Sequence, residues 1–186
     1  MLRNPKTNWY DLKNGAEGII LKTRPETVEG EANPSFLGHR QQHIIGEVSI
    51  SVEFDAKAEN EKAGLLAFQK ETHYYYAALS KENEQPVVQL YKSDELIKSI
   101  SLDNTVSEVE FKLKFEEDEY TFYYKTEGEW QQLGETQDGK FLSTQVAGGF
   151  VGVNLGLYTT SNGKSSDNEA LFDWFHYSGN DEVYRD

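Results

Sequence analysis

The chain has 186 residues, no Cys, and 32 acidic against 18 basic side chains, a formal charge of −14. Without thiols there are no cysteine nucleophiles, thiolate metal sites or disulfides. A surface this acidic repels phosphate backbones and anionic lipid, so no nucleic acid and no membrane is expected as a partner.

No apolar run approaches the roughly 20 residues of a transmembrane helix. The length fits one domain, 1–186, able to bury roughly 70% of its unfolded surface without a metal or disulfide staple. Met1-Leu2-Arg3-Asn4-Pro5 shows neither the charged nor the apolar region of a signal peptide, and reads as a continuation from a longer protein. It leaves the compartment open.

In chain order, the first strand is expected at 17–23. Residues 34–43, Pro-Ser-Phe-Leu-Gly-His-Arg-Gln-Gln-His, form a loop that leads into the next strand. An Arg, two Gln and two His within five residues exceed the hydrogen-bonding capacity that a partnerless surface loop uses. From Glu47 to Asp55, Val48, Ile50, Val52 and Phe54 alternate with polar residues, the pattern of a half-buried antiparallel strand. Further strands are expected at 63–69, 73–80, 86–92 and 95–102, and Tyr74-Tyr75-Tyr76 must place rings on both faces of its strand. Val109, Phe111, Leu113 and Phe115 repeat the alternation, the acidic run 116–119 turns the chain, and 120–124 returns as a hairpin. Strands at 146–158 and 169–178 close the domain. No window carries a helical apolar stripe, so the fold class is all-β, an antiparallel sandwich or barrel with little or no helix.

Several segments, in order, resemble the C-terminal domain of family 43 glycoside hydrolases, the β-xylosidase and α-arabinofuranosidase group. They are Leu2-Arg3-Asn4-Pro5 with Asn8-Trp9-Tyr10, then Phe36 to His43, where the family usually has Arg in place of His39. Ala63 to Gln69 with His73-Tyr74-Tyr75, then Gly148 to Gly152 through Gly156-Leu157-Tyr158, and finally Phe172 to Phe175 complete the match. The resemblance covers nearly the whole chain and implies a concanavalin A-like jelly-roll β-sandwich.

In that family the chemistry resides in a separate N-terminal five-bladed propeller, absent here, whose carboxylates invert the anomeric centre. The implied role of the sandwich is accessory: it stabilises the propeller and contributes a loop, often bearing a Phe, that closes the active site over xylo-oligosaccharides or arabinosyl linkages. The positional match for that aromatic is Phe150, with Gly148, Gly149 and Gly152 giving the backbone freedom to present it. An ordinary core ring is the other reading of Phe150, and many relatives carry a second Phe where this chain has Asn154. The chain alone is expected to be catalytically silent, since no Glu-x-Asp-x-Glu strand is present.

Other constellations admit plain readings. His39 and His43 on an extended chain would stand about 13 Å apart, too far for one metal ion. Arg40, Gln41, Gln42 and His43 more readily form a network that pins the loop, at the sandwich edge or against the propeller; with Phe36, His39 and Phe150 they are the candidate pocket or interface residues. Asp173, between Phe172 and Trp174, calls for a salt bridge, backbone hydrogen bonds or a structural Ca²⁺; no cofactor is otherwise required. Trp9, Trp130 and Trp174 could form a sugar-stacking platform, with Trp174 assigned to the core and Trp130 to an exposed turn. The alternative function is an autonomous carbohydrate-binding module for xylan-type polysaccharide. An apolar patch left by a missing propeller would favour a homodimer.

Overall fold

The computed structural model describes residues 7–12, 18–149, 151–180 and 182. The strands, in chain order, are β1 (Tyr10–Leu12), β2 (Ile19–Lys22), β3 (Ser35–Arg40), β4 (Ile45–Glu53), β5 (Lys62–Lys70), β6 (His73–Glu82) and β7 (Gln85–Lys92). They continue with β8 (Glu95–Ser101), β9 (Glu108–Glu116), β10 (Glu119–Lys125), the two-residue β11 (Gln131–Gln132) and β12 (Gln137–Asp138), β13 (Asn154–Thr160) and β14 (Glu169–Gly179). A 3₁₀ turn (Gly139–Leu142) and a one-turn helix α1 (Thr144–Ala147) interrupt them. All pairings are antiparallel. One sheet runs β1-β2-β14-β4-β9-β10-β11, with β12 also on β10; the other runs β3-β13-β5-β6-β7-β8. Two sheets face to face make the all-β sandwich that the alternation requires.

The main core lies between the sheets. Val48, Ile50 and Val52 of β4, Phe111, Leu113 and Phe115 of β9 and Phe122 of β10 meet Leu65, Tyr75, Leu79, Leu90 and Leu157 from the opposite sheet. Period-2 geometry sends the alternate residues of β5 and β6 outward, and these are apolar too. Leu66, Phe68, Tyr74, Tyr76 and Ala78 form a second buried cluster with Phe36, Tyr158 and Val28. The tyrosine triplet therefore does serve both faces: Tyr75 points inward and its two neighbours outward, under Val28 and its flanking loop.

Three expectations need correction. Residues 34–43 are not a loop throughout, because Ser35–Arg40 pairs along its length with β13. The strand expected over 146–158 begins only at Asn154. Before it, Ser143 caps α1 by accepting from the Val146 amide, and Gly148 and Gly149 take φ of 77° and 76°, a left-handed conformation no strand contains. Trp174 is not core: it is 39% exposed, next to a register shift in the β14–β4 pairing.

Candidate functional site

One end of the sandwich gathers most of the sequence candidates. β3 carries His39 and Arg40 to the end of its pairing with Leu155 and Asn154, and the Gln41 amide then donates to Val153 O at 2.9 Å. The Gln41–Ile44 stretch and the loop preceding β13 are thus tied edge to edge. The Gln41 side chain accepts from the Tyr120 hydroxyl at 2.5 Å and donates to His43 O at 3.0 Å. Burial pushes the Tyr120 pKa well up, which keeps this phenol a neutral donor.

Tyr177 on β14 organises the rest. Its hydroxyl oxygen accepts from the Gln42 amide at 3.0 Å and the His43 amide at 3.2 Å, and lies 3.0 Å from His43 Nδ1. With both lone pairs engaged, the hydroxyl proton is left for Nδ1, so the neutral His43 ring carries its own proton on Nε2. Rings of His39 and His43 both pack on Tyr177, at 4.8 and 5.7 Å between centroids. The two histidines share a tyrosine. Arg40 is exposed, with its guanidinium beside Gly152, where a Cβ would stand 3.2 Å from Nη2.

Facing these groups is the segment from the 3₁₀ turn to Val153. Together they border a hollow of about 310 Å³ touched by Gln41, His43, Tyr120, Lys140, Thr144 and Gly152. Ile44, 45% exposed, lines it, and Val146 and Val151, 56% and 54% exposed, lie in the segment that borders it. Asp118 at its rim is engaged by Lys140 Nζ at 2.7 Å. The hollow offers amides, phenols and aliphatic surface, a constitution suited to contact and positioning.

One residue of this end had no assigned role in the sequence. Gln69, 6% exposed at the end of β5, donates from Nε2 to Gly148 O at 2.9 Å and to Val151 O at 3.1 Å. The signal was a lone amide closing the apolar run Leu65–Phe68. Phe150, the aromatic matched to the family's loop, lies outside the described residues.

The remaining candidates lie elsewhere. Phe36 is 2% exposed and packs on Phe68 and Tyr158 in the outer cluster, so its role here is packing. Asp173 sits half-buried at the irregularity of β14, where partial hydration replaces the buried carboxylate that the sequence suggests. Among the described residues no group of three or more His, Cys, Asp or Glu gathers as metal ligands. Trp130 lies under two ammonium groups, Lys112 at 4.1 Å and Lys125 at 5.0 Å from its ring, and Trp9 is fully buried. The tryptophans form no common platform.

Comparison with known proteins agrees with this architecture. The family model of the β-xylosidase C-terminal concanavalin A-like domain matches residues 1–178. The chain is 31% identical over 182 residues to the non-reducing end α-L-arabinofuranosidase BoGH43B of Bacteroides ovatus, covering 95% of this chain and 34% of that protein. It is 30% identical over 174 residues to a xylosidase/arabinosidase of Butyrivibrio fibrisolvens, covering 90% of this chain and 33% of the relative. Among solved structures, the Bacteroides ovatus xyloglucan PUL GH43B superposes with a TM-score of 0.88 at 31% identity, over 95% of this chain and 36% of that one. The chain spans about a third of the length of the curated relatives it matches. It belongs to the C-terminal concanavalin A-like domains of family 43 glycoside hydrolases, the xylosidase and arabinosidase type.

Proposed function

We propose that this domain closes the active site of a family 43 glycosidase and stabilises its catalytic propeller, with xylo-oligosaccharides or arabinosyl linkages as the substrates of the assembled enzyme. The observation that supports this reading is the convergence of two segments distant in sequence, Arg40–Ile44 and the glycine-rich loop before β13, at one end of the sandwich through the Gln41–Val153 hydrogen bond. Exposed Ile44, Val146 and Val151 at that end are the apolar surface a second domain would cover. Phe150, between Gly149 and Val151, is the ring assigned to narrow the pocket. In the two-domain enzyme, Phe150→Ala is expected to lower kcat/KM on 4-nitrophenyl β-xyloside about tenfold while the fold survives. Unchanged kinetics with the folded variant would reject the assignment.

One observation favours a second reading, a binding module. On the outer face of the β5–β6 sheet, Tyr74, Tyr76, Tyr91 and Tyr158 line a hollow of about 180 Å³ with Lys62 and Asp94. Tyr74, Tyr76 and Tyr158 are buried there, so the ring offered to a sugar is the half-buried Tyr91, edged by Lys62 and Asp94. Saturable heat on titrating the domain with xylo-oligosaccharide, abolished by Tyr91→Ala, would establish it; no heat leaves the closing role alone.

A further inference from the structure

The loop before β13 is gripped by two consecutive side chains. The β5–β6 pairing shifts register between Phe68 and Lys70, opposite Tyr74 and His73. Gln69 is therefore the extra residue of a bulge, a device that re-aims a side chain. Its amide reaches the two carbonyls that bracket residues 149 and 150, Gly148 O and Val151 O. Only the NH₂ end of a carboxamide can donate to both, which fixes its orientation, and the buried Oε1 has no partner among the described residues. Next to it, Lys70 Nζ donates to Ala147 O. Three carbonyls of one five-residue stretch are thus held from a single strand end. Between them, Gly148 and Gly149 have positive φ, and among the described residues no atom lies within 4 Å of a Cβ position at either.

We infer that Gln69 and Lys70 are positioning residues: they set the place at which the 147–151 loop meets substrate. This inference rests on the closing role proposed above. The donor half of Gln69 performs the work, and Oε1 is dispensable. Lys70 contributes a donor that Arg can replace.

The test pairs kinetics of the two-domain enzyme with amide hydrogen exchange of this 186-residue chain. Gln69→Met keeps the length and apolar packing but removes the donors. Faster exchange at Gly149–Gly152 is expected, together with a KM on 4-nitrophenyl β-xyloside raised about fivefold and kcat changed less than about twofold. Lys70→Met should raise KM in the same sense and Lys70→Arg should restore it. A structural role alone would lower stability without splitting KM from kcat. If Phe150→Ala impairs the enzyme but Gln69→Met leaves KM and loop exchange unchanged, the positioning role is overturned while the closing role stands. If Gln69→Met raises KM and Phe150→Ala does nothing, the loop backbone carries the contact and the ring assignment falls. If neither variant has an effect, both are overturned.

Discussion

Where β4 finishes, a single carboxylate organises the loops of the sandwich; where β4 begins, amides and phenols do so, joined by the Lys70 ammonium on Ala147 O. At the first end Glu61, 5% exposed, accepts from the Lys57 amide at 2.8 Å, from Ser166 Oγ at 2.6 Å and from Asn168 Nδ2 at 2.8 Å. Asn60 and Asn168 add bonds to Ser161 O and Asp55 O, joining the 55–61 and 161–168 connections. At the second end Gln41, Gln69, Tyr120 and Tyr177 tie connecting segments to strands, and apolar side chains are left in solvent. The hollow at the Glu61 end is larger, about 600 Å³ against about 310 Å³. Volume does not choose the site here. What distinguishes the second end is exposed aliphatic surface beside loops whose backbone is held at several points, the features on which the proposed closing role rests.

That contrast can be broken from either side. Glu61→Ala should have the largest effect, because it strands the donors of Ser166, Asn168 and Lys57 in a nearly closed site. A loss of about 2–3 kcal/mol in urea unfolding is expected, with no effect on the opposite end. Acid should act on the same group. Burial alone would raise the Glu61 pKa, but hydrogen bonds from Ser166, Asn168 and the Lys57 and Ala58 backbone outweigh it and hold the group below its ordinary 4.5. A depressed folded-state pKa means that the stabilisation is full above the ordinary value and vanishes as pH falls through the folded-state value. Unfolding free energies measured between about pH 6 and about pH 3 should therefore fall more steeply for the wild type than for Glu61→Gln.

The smallest effect belongs to the other end. Tyr177→Phe removes one hydroxyl serving Gln42, His43 and the His43 ring, and solvent can replace part of it, so about 1 kcal/mol is expected. The sharper readout is the His43 ring in NMR: without the hydroxyl proton at Nδ1, the Nε2–H tautomer loses its preference.

The two ends were not equally legible in the sequence. Strands such as β4, β9 and β14 could be read directly, because apolar residues facing the core recur at period two, although Ser49 and Ser51 on the other face of β4 are buried as well. β3 was hidden: Phe36 points to the outer cluster, and the polar run His39–Gln42 masks a strand whose pairing partner, β13, is more than a hundred residues away. The strand expected over 146–158 starts late because positive φ at Gly148 and Gly149 and the Ser143 cap decide the local backbone. Arg40, Gln41 and His43 could be selected for their chemistry, yet their partners Tyr120, Tyr177 and Gly152 come from three other segments. Gln69 escaped because its role depends on a bulge and on two carbonyls some eighty residues away.

The account rests on the claim that this domain completes an active site held by another. The most direct test compares turnover of 4-nitrophenyl β-xyloside and α-arabinofuranoside by the two-domain enzyme with and without residues 1–186. The account predicts that removing the domain abolishes turnover of these small substrates. A catalytic domain that keeps full activity on them, and loses it only on polymers, would contradict the closing role and identify a binding module.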